Sequence, residues 1–321
     1  MAEPNSAWTE LLATTLKNYQ PGLVDNIFNS SALLYELKKT QKVQAGGEHI
    51  VVRLGYGKNP NVKFYSGLDI LDMNTGKIIS AVDFNWKNFV GSVVIPGDER
   101  RKNKGKHKMI DLVEAKVQNC EDTMVETLNQ TLYGDGTGSG GDAFLGLKAI
   151  VTNTGTLAGI NRTVNTWWQA NYSDAPDTET WGGTNDTIHK AMRAMFHSCS
   201  RGMRRFPPNL VITTQSIFEL YENSMVQNIR YTTLGEGDVS FEAILFSGKP
   251  MVWDADCTAG YMYFLNTKFL YLVFDTEANF TPTPFQSPYN QDAVGNHILA
   301  MGNLVCSQAR KQGLIYGITE S

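Results

Sequence analysis

The chain has 321 residues, a length that allows two domains of ~150 residues or one large one and excludes a single small module. Hydrophobic residues are 42% and charged residues 19% of the chain, against ~25% charged for an average globular protein, which excludes a charge-swollen disordered chain. Twenty-eight Lys and Arg against 32 Asp and Glu give a formal charge of −4, so binding to nucleic acid or an anionic membrane has to be local.

Residues 1–45 read as an arm with short helical pieces, marked by Leu11, Leu12 and Leu16 and then by Leu33, Leu34 and Leu37. They lack the basic start, apolar core and small-residue site of a signal peptide, and no run in the chain approaches the ~18 apolar residues of a membrane helix. The expectation is a soluble protein made in the cytoplasm. Residues 49–56 alternate, with Ile50, Val52, Leu54 and Tyr56 on one face of a strand. A second alternating run at 82–87 continues through Phe89 to Ile95 with apolar residues on both faces, as a strand entering a core would.

Between the runs, residues 57–81 hold Lys58, Lys63, Phe64, Tyr65, Leu68, Ile70 and Leu71 and a turn at residues 72–76. Connections beyond ~12–15 residues are usually functional or mobile, and exposed apolar stretches mark interaction sites. Residues 46–97 therefore read as a long projecting hairpin, and the loop region is carried on to residue 106.

Arg100, Arg101, Lys102, Lys104, Lys106 and Lys108 form a concentrated basic run. A solvated face or a partner for acidic residues of a neighbour is one reading. Salt-sensitive, sequence-independent contact with phosphates is the other. Cations at a helix start oppose its macrodipole, so a compensating partner is expected.

Residues 107–133 predict the clearest helix: Ile110, Val113, Val117, Cys120, Met124, Leu128 and Leu132 step by three or four along one stripe. The helix would be ~40 Å long, with Glu121 and Asn129 among its polar faces and Gly134 ending it. A long helix buried on one side suits a thin plate better than a ball. Residues 136–141 match a GxGxxG spacing but follow a helix instead of a strand, so they read as a reversing connector. An aromatic region with Trp167, Trp168 and Trp181 follows, then a helix from about 184 to 202 with Ile188, Met192, Met195 and Cys199 on its face. A buried strand at 210–213 leads into a helix at 215–223. Strands are expected at 250–253, 261–265 and 269–274, then a Pro/Thr/Asn-rich tail at 277–290, and closing strands at 297–309 and 313–318. The mixture indicates an α+β fold.

Cys120, Cys199, Cys257 and Cys306 form no CxxC pair and read as reduced, mostly buried thiols. His189 and His197 lie two helical turns apart, too distant to share a metal without other ligands. No acid, base or nucleophile set accompanies the glycine-rich turn. No catalytic residue, cofactor or metal is expected.

The order of parts, with Phe246-Ser247-Gly248-Lys249-Pro250-Met251-Val252-Trp253, residues 263–270, residues 300–306 and residues 310–313, resembles the major capsid proteins of tailed bacteriophages, which have the Hong Kong 97-type fold. The resemblance covers nearly the whole chain. It implies an N-terminal arm (1–45), an extended loop (46–106), a spine helix and first peripheral part (107–145), an axial domain (146–274) and returning peripheral strands (275–321). It further implies pentamers and hexamers that self-assemble into an icosahedral shell enclosing double-stranded DNA, a virion structural protein put together in the host cytoplasm. Partners on this reading are other copies, a portal, separate scaffolding or decoration proteins, and DNA without sequence specificity. An encapsulin-like nanocompartment shell is the nearest alternative, and a phosphate-ligand enzyme is the one from another class. Lys58, Phe64, Tyr65, Leu68, Ile70 and Leu71 are the candidate inter-subunit contacts. Some members cross-link a loop lysine to a neighbour, but no motif here singles out such a pair.

Overall fold

The computed structural model describes residues 31–71, 75–102, 106–181, 186–202, 205–225, 231–234 and 241–319. The expectations for residues 1–30, including Leu11, Leu12 and Leu16, lie outside them. Helix α1 (Ala32–Lys39) is capped by Ser31, whose Oγ accepts from Leu34 N, and buries Leu33, Leu34 and Leu37. Strand β1 (Lys42–Gln44) then pairs parallel with β13 (Leu270–Asp275).

Strands β2 (Ile50–Gly55) and β3 (Ile79–Phe84) form an antiparallel ribbon in which Ile50 faces Phe84 and Val52 faces Val82. The hairpin stops there. Strand β4 (Lys87–Pro96), which the sequence pattern assigns to the same projection, pairs instead over its length with β15 (Ala293–Cys306). Nor does β4 bury both faces: Gly91, Val93 and Ile95 point inward, while Val90 and Val94 are exposed. β-branched residues favour the pleated surface on either face, so a Val-rich run does not by itself tell which face is covered.

Helix α2 (Gly97–Lys102) leads to the 28-residue α3 (Lys106–Tyr133). Val113, Val117, Met124, Leu128 and Leu132 of the expected stripe are buried. Glu121 and Asn129, placed by the pattern on polar faces, are also buried. Helix α3 lies against β4 so closely that a Cβ at Gly91 would collide with Met124 Sδ and sit 2.7 Å from Cys120 Sγ. Residues 134–146 reverse the chain; Gly136 has φ +79° and packs on Leu145. No strand precedes this turn, so the geometry of a dinucleotide loop is missing.

The remaining elements are α4 (Leu147–Ile150), β5 (Thr156–Leu157), β6 (Ile160–Asn161), β7 (Asn171–Asp174), α5 (Thr187–Ser200), β8 (Leu210–Thr213), α6 (Gln215–Ser224), β9 (Tyr231–Leu234), β10 (Phe241–Phe246), β11 (Lys249–Trp253), β12 (Met262–Leu265), β14 (Thr281–Pro282) and β16 (Gly313–Tyr316). Among the described residues the larger sheet runs β7-β16-β12-β8-β11-β10-β9, and the smaller runs β1-β13-β15-β14 with β4 also on β15. Helices α5 and α6 cover one face of the larger sheet through Ile188, Met192, Ile217, Phe218 and Tyr221 against Val211, Met251 and Phe264. A second apolar cluster runs from α1 through β2 and α3 to both sheets and joins them.

Two segments change sheets relative to the expectation. Strand β13, placed with the axial part by the family resemblance, pairs with β15 in the smaller sheet. Strand β16, placed with the returning peripheral strands, inserts between β7 and β12 of the larger sheet. A short 3₁₀ turn (Ala309–Lys311) makes the second switch. Gln312 holds it, since its Oε1 accepts from Asn266 N and its Nε2 donates to Asn266 O. Strand pairing is a long-range choice that alternating hydrophobicity does not encode.

Arg162 is fully buried and donates to the carbonyls of Ala149, Thr152 and Thr154, which fixes the loop after α4. Burial lowers its pKa to about 10, which leaves the cation charged at neutral pH. No helix among the described residues is long and apolar enough to cross a membrane.

Candidate assembly surface

The hairpin is rigidly founded. At its root Trp86 Nε1 donates to Gly47 O at 2.8 Å, and Gly46 N donates to Asp275 Oδ1 at 2.9 Å. Backbone donors from Gly46 and Glu277 hold the Asp275 carboxyl below its usual range. Asn303, buried on β15, donates from Nδ2 to Asn85 O in the turn after β3 and accepts from Leu145 N on Oδ1. One side chain thereby ties the hairpin exit, the turn after α3 and the smaller sheet together.

Beyond this base lie the 23 residues between Gly55 and Ile79, which form no strand or helix among those described. Phe64 and Leu68 are completely exposed, at 105% and 100%, and Ile70 is 85% exposed. Tyr65, Leu71 and Val62 are open as well. Lys58 is exposed, and Lys63 Nζ donates to Ile70 O at 2.9 Å across the tip. The structure leaves Phe64, Tyr65, Leu68, Ile70 and Leu71 exposed on one projection, while Lys58 stands at its base facing a cleft shared with Trp167 and Arg201.

A second open apolar strip follows β4. Gly295 exchanges both backbone bonds with Gln286, and His297 O accepts from Thr283 N. Alternate pairs of an antiparallel ladder carry the bonds, so Asn88, Val90, Ser92 and Val94 aim their backbone groups away from β15. Val94 O takes Lys116 Nζ at 3.3 Å. Val90, Val94 and Leu299 are exposed on the outer sheet face.

The basic run is placed differently. Arg101 pairs with Asp98 and with Asp292 across the chain, and Glu99 pairs with Lys116. Asp98 and Glu99 stand in the first turn of α2, whereas the first turn of α3, which Lys106 and Lys108 open, holds no acidic residue. Hydrogen bonds to Asp292 and Asp98 hold the Arg101 guanidinium above its usual range. The side chains of Arg100, Lys102, Lys104, Lys106 and Lys108 lie outside the described residues.

No nucleophilic arrangement emerges among the described side chains. Burial pushes the Cys199 and Cys306 thiols up to about 12, and no group of three His, Cys, Asp or Glu residues among those described could hold a metal. His189 is buried on α5 beside Asp186, the helix cap.

A polar joint that sequence reasoning missed links α1, α3 and the larger sheet. Ser31 Oγ donates to Asn129 Oδ1 at 2.8 Å, and Asn129 Nδ2 donates to Asp254 Oδ1 at 3.0 Å and to Asp256 Oδ2 at 2.6 Å. Burial raises the Asp254 carboxyl above its usual range. An Asn on the apolar side of a helix is the signal that was present, but its partners lie 98 to 127 residues away.

No family model matches the chain, and no curated protein matches its sequence. Solved structures do match. A capsid subunit of cyanophage A-1(L) superposes with TM-score 0.63 at 18% identity, over 89% of this chain and 92% of that one. A subunit of the GTA particle capsid gives 0.58 at 10%, over 88% and 90%. The SrpI encapsulin of Synechococcus elongatus gives 0.56 at 8%, over 88% and 85%. Identities this low speak for shared architecture, and the near-complete coverage on both sides leaves one reading of it: the chain has the Hong Kong 97-type capsid fold.

Proposed function

We propose that this chain is the major capsid subunit of a tailed phage, assembling as pentamers and hexamers into an icosahedral shell around double-stranded DNA. The observation that carries the proposal is the apolar tip at Phe64, Tyr65, Leu68, Ile70 and Leu71, held out from the body on a clamped base. Covering one such side chain fully is worth ~1.5–3 kcal/mol, so the five together come to roughly the same ~4–15 kcal/mol that association costs. One tip on one neighbour is therefore a weak contact, and closure of a ring or shell sums many of them. The domain division of arm, extended loop, spine, axial and peripheral parts is part of the same proposal, with β4 and β13 counted as peripheral and β16 as axial. A portal and separate scaffolding or decoration proteins are the partners such a shell would need.

The match to an encapsulin supports a second reading, a nanocompartment shell. Electron microscopy of the protein expressed alone, with light scattering for mass, tests assembly. Closed shells, or rings of five and six, are expected. Deleting residues 58–76 should leave a folded subunit that does not close them, and normal shells from the deletion would remove the tip from the assembly surface. Double-stranded DNA inside particles from the native source decides for the phage, and a protein cargo without DNA decides for the nanocompartment.

A further inference from the structure

The hairpin base, the aromatic loop after β6, residues 201, 202 and 206 after α5, residues 268–269 and the turn at residues 307–311 line a cleft of about 920 Å³. Five cations line it, Lys58, Arg201, Lys268, Arg310 and Lys311, and among the described residues no Asp or Glu does. In a chain of net charge −4 this is a marked local concentration. Lys311 is already committed: its Nζ donates to Ser200 O and Arg201 O at the C-terminus of α5 and sets the backbone that carries Arg201. Lys58, Arg201, Lys268 and Arg310 are exposed, and none has a carboxylate within ion-pair distance among the described residues. The walls are aromatic. Tyr56 stacks on Trp167 with ring centroids 4.9 Å apart, and Phe206 meets Phe269 edge-on beneath Lys268 Nζ, which lies 4.2 Å from the Phe206 ring.

We propose that this cleft binds a single strand of nucleic acid, with phosphates on Lys58, Arg201, Lys268 and Arg310 and an unpaired base against the Tyr56 and Trp167 rings. Acid-free cationic lining matches a phosphodiester backbone, and aromatic rings at the same place match the open face of a base, which a duplex keeps hidden in its stack. An acidic peptide would use the cations and leave the stacked pair without a role. The inference goes beyond the shell reading and does not depend on it, since the cleft lies within one chain.

The test is fluorescence anisotropy of a labelled 15-nucleotide oligothymidylate titrated with the full-length protein over a range of salt concentrations. Four phosphate contacts at ~0.7 each predict a slope of about −3 for log affinity against log salt. Arg201→Glu with Arg310→Glu should weaken binding at least tenfold and roughly halve that slope. Trp167→Ala and, separately, Tyr56→Ala should each weaken it severalfold with the slope kept, and Arg101→Glu should change nothing. Binding unaffected by the double charge reversal overturns the proposal. So does a duplex of equal length binding as tightly and indifferently to Trp167→Ala and Tyr56→Ala, or a poly-glutamate peptide displacing the oligonucleotide at equal concentration.

Discussion

At the base of the hairpin Ile50, Val52 and Leu54 are buried against Val82 and Phe84, while farther along the same projection Phe64 and Leu68 stand entirely in water. Both stretches are apolar, and they differ in what covers them. The base is covered by α1, α3 and the two sheets of its own chain, so its apolar residues contribute to folding. The tip is covered by nothing among the described residues, so its apolar residues contribute only when another molecule arrives. The same amino-acid types thus serve stability in one place and, on the proposed reading, association in the other.

The sharpest way to break that comparison is a matched pair of substitutions. Phe274→Ala removes a fully buried ring packed on Phe144 and Phe280 and is expected to cost ~3–5 kcal/mol of unfolding free energy by denaturant titration. Phe64→Ser at the tip should change stability by less than ~0.5 kcal/mol and yet lower the yield of closed shells. A large stability loss from the tip variant would mean that the tip folds back onto its own chain.

An intermediate effect is expected where α3 meets β4. Gly91→Val inserts a side chain where Met124 and Cys120 already stand and should cost ~1–3 kcal/mol by overpacking, read as a lower denaturation midpoint. The hairpin, on its separate clamp at Asn85, Gly46 and Gly47, should keep its protease pattern. A changed pattern would show that α3 and the hairpin are one mechanical unit.

The smallest effect concerns pH. The Asp254 carboxyl is raised in the folded state, first by burial, so folding favours its protonated form. Its contribution to stability is fully present below the unfolded value of ~3.9 and is lost as pH rises through the folded value. Asp254→Asn keeps an oxygen for Asn129 Nδ2 and Asp256 N and removes the buried charge. Thermal melts from pH 4 to pH 7 should show the variant matching the parent near pH 4 and exceeding it near pH 7. A variant less stable at pH 7 would mean that the charge is what holds the joint.

Much of the fold was legible because it is local. The stripe from Val113 to Leu132, the alternation of Ile50, Val52 and Leu54, and the four buried residues of β8 are read directly from spacing. The exposure of the hairpin's apolar residues was legible for the related reason that apolar residues in a long polar connection have no local partner. The cleft was not legible. Lys58, Trp167, Arg201, Lys268 and Arg310 are spread over some 250 residues, and each alone is an ordinary surface or loop residue. The basic run is conspicuous in sequence, but of its side chains only Arg101 is described, and that one is engaged by Asp98 and by Asp292 from the far end of the chain.

The sequence by itself determined the strongly periodic elements and their order, because helix and strand periods, caps and turn residues act over a few residues; β7, β9 and β10 of the larger sheet were not read from it. Only the tertiary structure decided which sheet each strand joins, where β4 leaves the hairpin and β16 crosses over, and which scattered cations share a cleft. Pairing register and side-chain convergence are set by contacts between residues far apart in the chain, and their energies exist only after the chain has closed on itself.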